Sequence, residues 1–160
     1  MNHLVAQVQA GNVGVVFFRS WGADETAQAL GMSGGEFNWQ YANQFNVVDN
    51  GHYITDGVAT GQYDLGYTYM TSSPNPGADT TVLATGSDAA ALIVHNTWRV
   101  AITPFYGHVD GWDDESILAT QITERTLQWA AGASVVPLPA AVWLFGSALA
   151  GLGWLRRKPV

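Results

Sequence analysis

The sequence predicts an α/β sheet domain followed by one membrane-spanning helix, and three observations carry that expectation. Strand-length apolar runs and helix-period segments succeed one another through residues 4–131, the pattern of a layered α/β domain. No charged residue occurs from Thr126 to Leu155, and the last sixteen of these have Ser147 as their one polar side chain. The charges are also segregated. All thirteen acidic residues lie at or before Glu124, against only Arg19, Arg99 and Arg125, which leaves residues 1–135 at −10. Arg156, Arg157 and Lys158 follow the apolar run.

Leu4, Val5 and Val8 fit the end of a helix that Gly11 stops, and Val13 to Phe18 is a continuous apolar run expected as a strand buried on both faces. Asp24 to Met32 reads as a short helix, with Asp24 at its N-cap and Gly31 near its end. Phe37, Trp39 and Tyr41 alternate, as do Tyr63, Leu65, Tyr67 and Tyr69, which predicts two half-exposed strands. Val82 to Ala84, Ala90 to Val94 and Arg99 to Pro104 predict three more short strands. Asp113 then caps a helix reaching about Ala131, with Leu118, Ile122 and Trp129 on one face and Gly132 at its stop. A domain that opens on a helix and then a buried strand reads as one entered midway, so the body, residues 1–132, is expected to be incomplete at its N-terminus. Met1-Asn2-His3-Leu4 does not begin a secretory signal peptide, because no basic start precedes a long apolar stretch.

Residues 133–160 form the second unit. Pro137 and Pro139 each remove a backbone N–H and disfavour helix in the residue before, so Val136-Pro137-Leu138-Pro139 is extended and a helix starts at about Ala140. From Ala140 to Leu155 there is no polar face at a 3.6-residue period, which excludes a surface amphipathic helix and leaves a buried core helix or a membrane span. Sixteen residues rise about 24 Å against about 30 Å of hydrocarbon. Snorkelling of Arg156, Arg157 and Lys158, with Trp143 and Trp154 near the two ends, closes most of that gap and favours the span. The cationic end then stays in the cytoplasm and the acidic body lies outside.

Val136-Pro137-Leu138-Pro139-Ala140, the apolar helix and the Arg156-Arg157-Lys158 stop together resemble the PEP-CTERM class of sorting signals in its VPLPA variant. That resemblance implies exosortase, a membrane-embedded cysteine transpeptidase, as processing partner. It implies an inner-membrane precursor and a cell-surface or extracellular product in an exopolysaccharide- and biofilm-forming Gram-negative bacterium. It also implies a secretory signal peptide that this sequence does not show. In the body, GHYITDGV (51–58) is similar to a turn of class I glutamine-amidotransferase-like domains, including trehalose-utilisation-type proteins. The segment VLATGSDAAALIVHNTWRVAITPFYGHVDGW and the helix ending LQWAAG resemble that superfamily's closing strands and last helix. The resemblance implies a flavodoxin-like, doubly wound sheet, here partial. The Cys-His-Glu set of true amidotransferases has no counterpart, since the chain contains no cysteine and no His-x-Glu pair.

Chemistry-bearing residues are few. His108 and Asp110 follow a predicted strand, at the edge where open α/β sheets place ligands, and would bind a ligand or move a proton there; the alternative is that they fix a loop by hydrogen bonds. Asp113, Asp114 and Glu115 suit a helix N-terminus better than calcium. Ser20, Ser33 and Ser87 lack the context of a nucleophile elbow. Trp21, Trp39, Trp98, Trp112, Tyr41, Tyr53, Tyr67 and Tyr69 either line a sugar-binding face or pack the sheet. The acidic body repels phosphate backbones, so nucleic acid is not an expected partner, and no catalytic residue, cofactor or metal is expected. The sequence therefore predicts a sorted surface protein with a non-catalytic body, the alternative being a carbohydrate-binding or carbohydrate-acting amidotransferase-like domain.

Overall fold

The computed structural model describes residues 2–18, 24–36, 38–73, 75–86, 89–105 and 114–132. The order is α1 (Asn2–Gln9), β1 (Val15–Phe18), α2 (Asp24–Ala29), β2 (Asn38–Val47), β3 (Gly61–Ser72), β4 (Thr80–Gly86), β5 (Ala89–His95), β6 (Val100–Thr103) and α3 (Asp114–Ala130). The six strands form one sheet in the order β1-β6-β5-β4-β2-β3. Every element expected from the sequence within these residues is present, and the helices stop where glycine allows a left-handed turn: Gly11 at φ 75°, Gly31 at 69° and Gly132 at 96°.

Helices cover the two faces of the sheet, and the strands show why. Val100 and Ile102 of β6 enter a core with Val8 of α1 and Ala27 of α2. Between them Ala101 enters the opposite core with Leu118, Ala119 and Ile122 of α3. Period-two alternation thus feeds two apolar layers, and β5 and β6 are buried along almost their whole length. Burial of this kind contributes roughly 25 cal/mol per Å² of apolar surface, which is why the central strands carry almost no polar side chains.

Two expectations need correction. The doubly wound parallel sheet is realised in one pair only, β1 with β6; β2–β3, β2–β4, β4–β5 and β5–β6 are antiparallel. For β4–β5 and β5–β6 the reason is connection length. Two residues separate β4 from β5 and four separate β5 from β6, too few for the dozen-residue crossover that a parallel pair requires. Nor is the Val13–Phe18 run buried on both faces: Phe17 is buried, but Val15, Val16 and Phe18 are half-buried and Val13 is exposed, because β1 lies at the edge of the sheet.

Candidate functional site

Topology defines one end of the sheet as the site's frame. Phe18 and Thr103, the last residues of β1 and β6, are paired and finish side by side. Gly86 and Ala89, paired where β4 turns into β5, lie at that same end. Open α/β sheets place ligands beyond the carboxyl ends of parallel strands, so the β1/β6 end is the candidate location. Its floor is well packed. Thr103 and Phe105 are buried, the Thr103 hydroxyl accepts a hydrogen bond from the Phe105 amide at 3.5 Å, and the Phe105 ring tilts against Phe45 with centroids 5.0 Å apart. His108 and Asp110 lie outside the described residues, as do Asp113, the sorting residues Val136, Pro137, Leu138, Pro139 and Ala140, and the basic stop Arg156, Arg157 and Lys158.

Two other histidines, His52 and His95, are fixed firmly into the fold. His52 begins the turn at 51–58. Its Nδ1 accepts the Ile54 amide at 3.2 Å, its carbonyl accepts both the amide and the hydroxyl of Thr55, and Ile54 and Thr55 are fully buried. The turn is clasped by α3: the His52 ring meets Trp129 edge-on at 5.3 Å, the Tyr53 hydroxyl donates to Gln128 at 2.8 Å, and Arg125 donates to the Asp56 carbonyl. Burial holds the His52 imidazole below its ordinary pKa, with Asp49 opposing. GHYITDGV is thus a structural latch.

His95 ends β5 and is buried. Its Nδ1 accepts the amides of Thr97 and Trp98 at 3.1 and 3.2 Å, and its ring stacks on Trp98 with centroids 4.3 Å apart and planes 15° from parallel. An Nδ1 that accepts leaves the proton on Nε2, which lies 3.9 Å from the Asp79 carboxylate. Asp79 in turn accepts from Asn96 at 3.3 Å and from the Thr97 hydroxyl at 3.2 Å. Burial again lowers the imidazole pKa, with Asp79 opposing. Ser33 is equally committed: its hydroxyl is hydrogen-bonded to the Gly35 carbonyl at 2.8 Å and to the Ser73 hydroxyl at 3.0 Å. Among the described residues no three His, Asp or Glu side chains gather closely enough to hold a metal ion.

Residues 135–158 match the family model of the PEP-CTERM protein-sorting motif. The chain carries a PEP-CTERM sorting motif. Its position agrees with the proline pair, apolar run and cationic stop read from the sequence. No curated protein matches the chain significantly. The chain is similar in structure to a protein described as ThuA-like from Bacteroides uniformis, with a TM-score of 0.59 at 14% identity, covering 84% of this chain and 64% of that one. A cytoplasmic protein from Salmonella typhimurium gives 0.52 at 12% identity over 81% of this chain and 59% of that one. A protein from Thermoplasma acidophilum, described as a GMP synthase subunit, gives 0.48 at 14% identity over 81% and 63%. The chain therefore spans about three-fifths of the length of the solved structures it resembles, and what it shares with the first two is a mixed α/β sheet fold. Among the described residues no helix is long and apolar enough to cross a membrane; the predicted span, 140–155, lies outside them.

Sequence reasoning places His52 in a turn and gives His95 no role, and it misses how firmly both are tied in. Neither contact can be read from spacing, since Trp129 is 77 positions from His52 and Asp79 is 16 from His95. The Asn-Thr-Trp that follows His95, a turn with an aromatic, is the one local signal present.

Proposed function

We propose that this is an exported bacterial protein, held transiently in the inner membrane by residues 140–155, processed by exosortase at Val136–Ala140, and used at the cell surface as a non-catalytic interaction module. The PEP-CTERM match over 135–158 carries the reading. The physics of the segment supports it: two prolines keep the entry extended and accessible, a charge-free helix partitions into lipid, and three cations hold its far end on the cytoplasmic side. The body's role is supported by what its side chains are committed to. The chain has no cysteine, so the nucleophile of amidotransferase chemistry is missing, and the His52, His95 and Ser33 side chains are bound to backbone groups. Exopolysaccharide and other matrix components are the partners such an address provides, with His108 and Asp110 as the ligand-binding pair read from the sequence.

Replacing Pro137 and Pro139 together by Ala tests the reading. In an exosortase-bearing host the variant is expected to accumulate uncleaved in the inner-membrane fraction as the heavier of two bands. Unchanged mobility and release would contradict recognition at this motif. Replacing Arg156, Arg157 and Lys158 by Gln is expected to scramble orientation, read by protease accessibility of the body in spheroplasts.

A further inference from the structure

The chain leaves the body at Gly132, and several elements converge on that point. A Cβ on Gly14, just ahead of β1, would meet the Ala130 carbonyl, and one on Gly132 would meet the Arg99 guanidinium. The start of β1, the start of β6 and the end of α3 therefore close on one another. Val13, Arg99 and Gly132 are exposed here, as are Asn96 and Thr97 of the same β5–β6 turn as Arg99. This end of the sheet is opposite the one at which β1 and β6 finish. α3 reaches it from that other end: exposed Ile117 stands thirteen residues before Ala130, about 20 Å along the helix axis.

Charge is graded along the same axis. Arg99 and Arg125, the two arginines among the described residues, belong to the Gly132 half, Arg125 through its bond to the Asp56 carbonyl beside the end of α3. The acids of that half are Asp56, Asp49 near His52, and Asp79, which accepts from Asn96 and Thr97. α2 points its acidic first turn, Asp24 and Glu25, the other way, because Gly31 beyond its last residue lies beside the His95 ring. α3 likewise begins with Asp114 and Glu115 at the far end. The arginines thus offset acids near the exit, and the helix starts carry carboxylates away from it.

Seven residues, 133–139, join Gly132 to Ala140, where the predicted span begins, and at full stretch they reach about 25 Å. The headgroup layer of one leaflet takes about 6 Å of that. A domain of 132 residues has a radius of gyration of about 14 Å and so a breadth of about 36 Å. A tether shorter than the body it holds fixes which end faces the bilayer. We propose that, in the precursor, the Gly132 end of the body, carrying Val13, Thr97 and Arg99, rests against the phospholipid headgroups, while the acidic first turns of α2 and α3 face away. The proposal rests on the membrane-span reading above and adds the surface that meets the lipid. Charge agrees with the tether: the Arg99 guanidinium suits a lipid phosphate, whereas the carboxylates of the far end are repelled by one. Val13 withdraws exposed apolar surface from water at the same contact.

The chain has no cysteine, so Val13→Cys, Thr97→Cys, Glu25→Cys and Ile117→Cys each accept one thiol-reactive fluorophore in the full-length protein. The labelled proteins are reconstituted into vesicles of phosphatidylethanolamine and phosphatidylglycerol that contain a headgroup-spin-labelled lipid. Quenching at Val13 and Thr97 is expected to exceed that at Glu25 and Ile117 at least threefold. A thirty-residue Gly-Ser linker placed after Gly132, adding about 30 Å of root-mean-square reach, is expected to erase the difference. Melting curves establish that each variant is folded, and with two positions at each end one folded variant per end decides. Equal quenching at the two ends, stronger quenching at Glu25 or Ile117, or a difference that the linker leaves unchanged would overturn the proposal. An alkaline carbonate wash separates the two readings. Loss of the chain from the vesicle pellet overturns the span and this proposal with it, whereas retention with equal quenching overturns this proposal alone.

Discussion

His52 and His95 are the residues on which the body's pH dependence turns. Each offers Nδ1 to backbone amides, so each is needed neutral, and burial depresses both pKa values despite Asp49 and Asp79. In the unfolded chain a histidine takes up a proton below about 6.5, while in the fold it resists doing so. The stabilisation is therefore complete above about pH 6.5 and is lost as pH falls from there through the depressed folded values. Thermal melts between pH 7.5 and 5 are expected to show a falling Tm, and His52→Gln with His95→Gln to flatten that slope whatever their effect on its level. Parallel slopes would refute the assignment. Two other single positions make sharp predictions. A methyl at Gly77 would meet the Gly31 carbonyl, backbone against backbone, so Gly77→Ala is expected to cost about 2 kcal/mol in denaturant unfolding. The Thr123 hydroxyl is buried without a hydrogen-bond partner among the described residues, so Thr123→Val is expected to raise stability by about 1 kcal/mol.

At the scale of elements, α3 does two things with one helix. Leu118, Ala119 and Ile122 fill the core, and Arg125, Gln128 and Trp129 clasp the 51–58 turn. Ile122→Ala is expected to lower global stability by about 3 kcal/mol, whereas Trp129→Ala is expected to release the turn first, seen as faster hydrogen exchange at the Ile54 and Thr55 amides. The helices were legible because their signals are local: Asp24 at a start, and Gly11, Gly31 and Gly132 at the stops. The strands were legible as segments but not as a sheet. VVFF reads as central because apolar runs record composition, while edge position depends on what pairs beside it. Likewise the aromatic alternation of β2 and β3 announced two strands, but that Tyr41 stands opposite Tyr69 is a matter of register, which pairing energies across 28 residues of chain decide.

For the whole molecule, address and fold were written in different ways. The sorting segment acts as a linear signal, so prolines, hydropathy and three cations sufficed to read it, and the family match falls on the same residues. The body's α/β class followed from the succession of periods, but its strand directions did not, because the short connections of β4–β5 and β5–β6 outweighed the superfamily pattern that the 51–58 turn suggested. Activity was least legible. His52, His95 and Ser33 serve turns and backbone, and the end of the sheet that could receive a ligand is defined by pairing between β1 and β6, 85 positions apart. The proposed role requires above all that the protein leave the cytoplasm and lose its membrane segment on the way. Intact-mass measurement of the form recovered from the cell surface or medium tests this most directly. The expected species has lost the membrane segment and the basic stop Arg156, Arg157 and Lys158; recovery of the uncut chain from the cytosol would contradict that role.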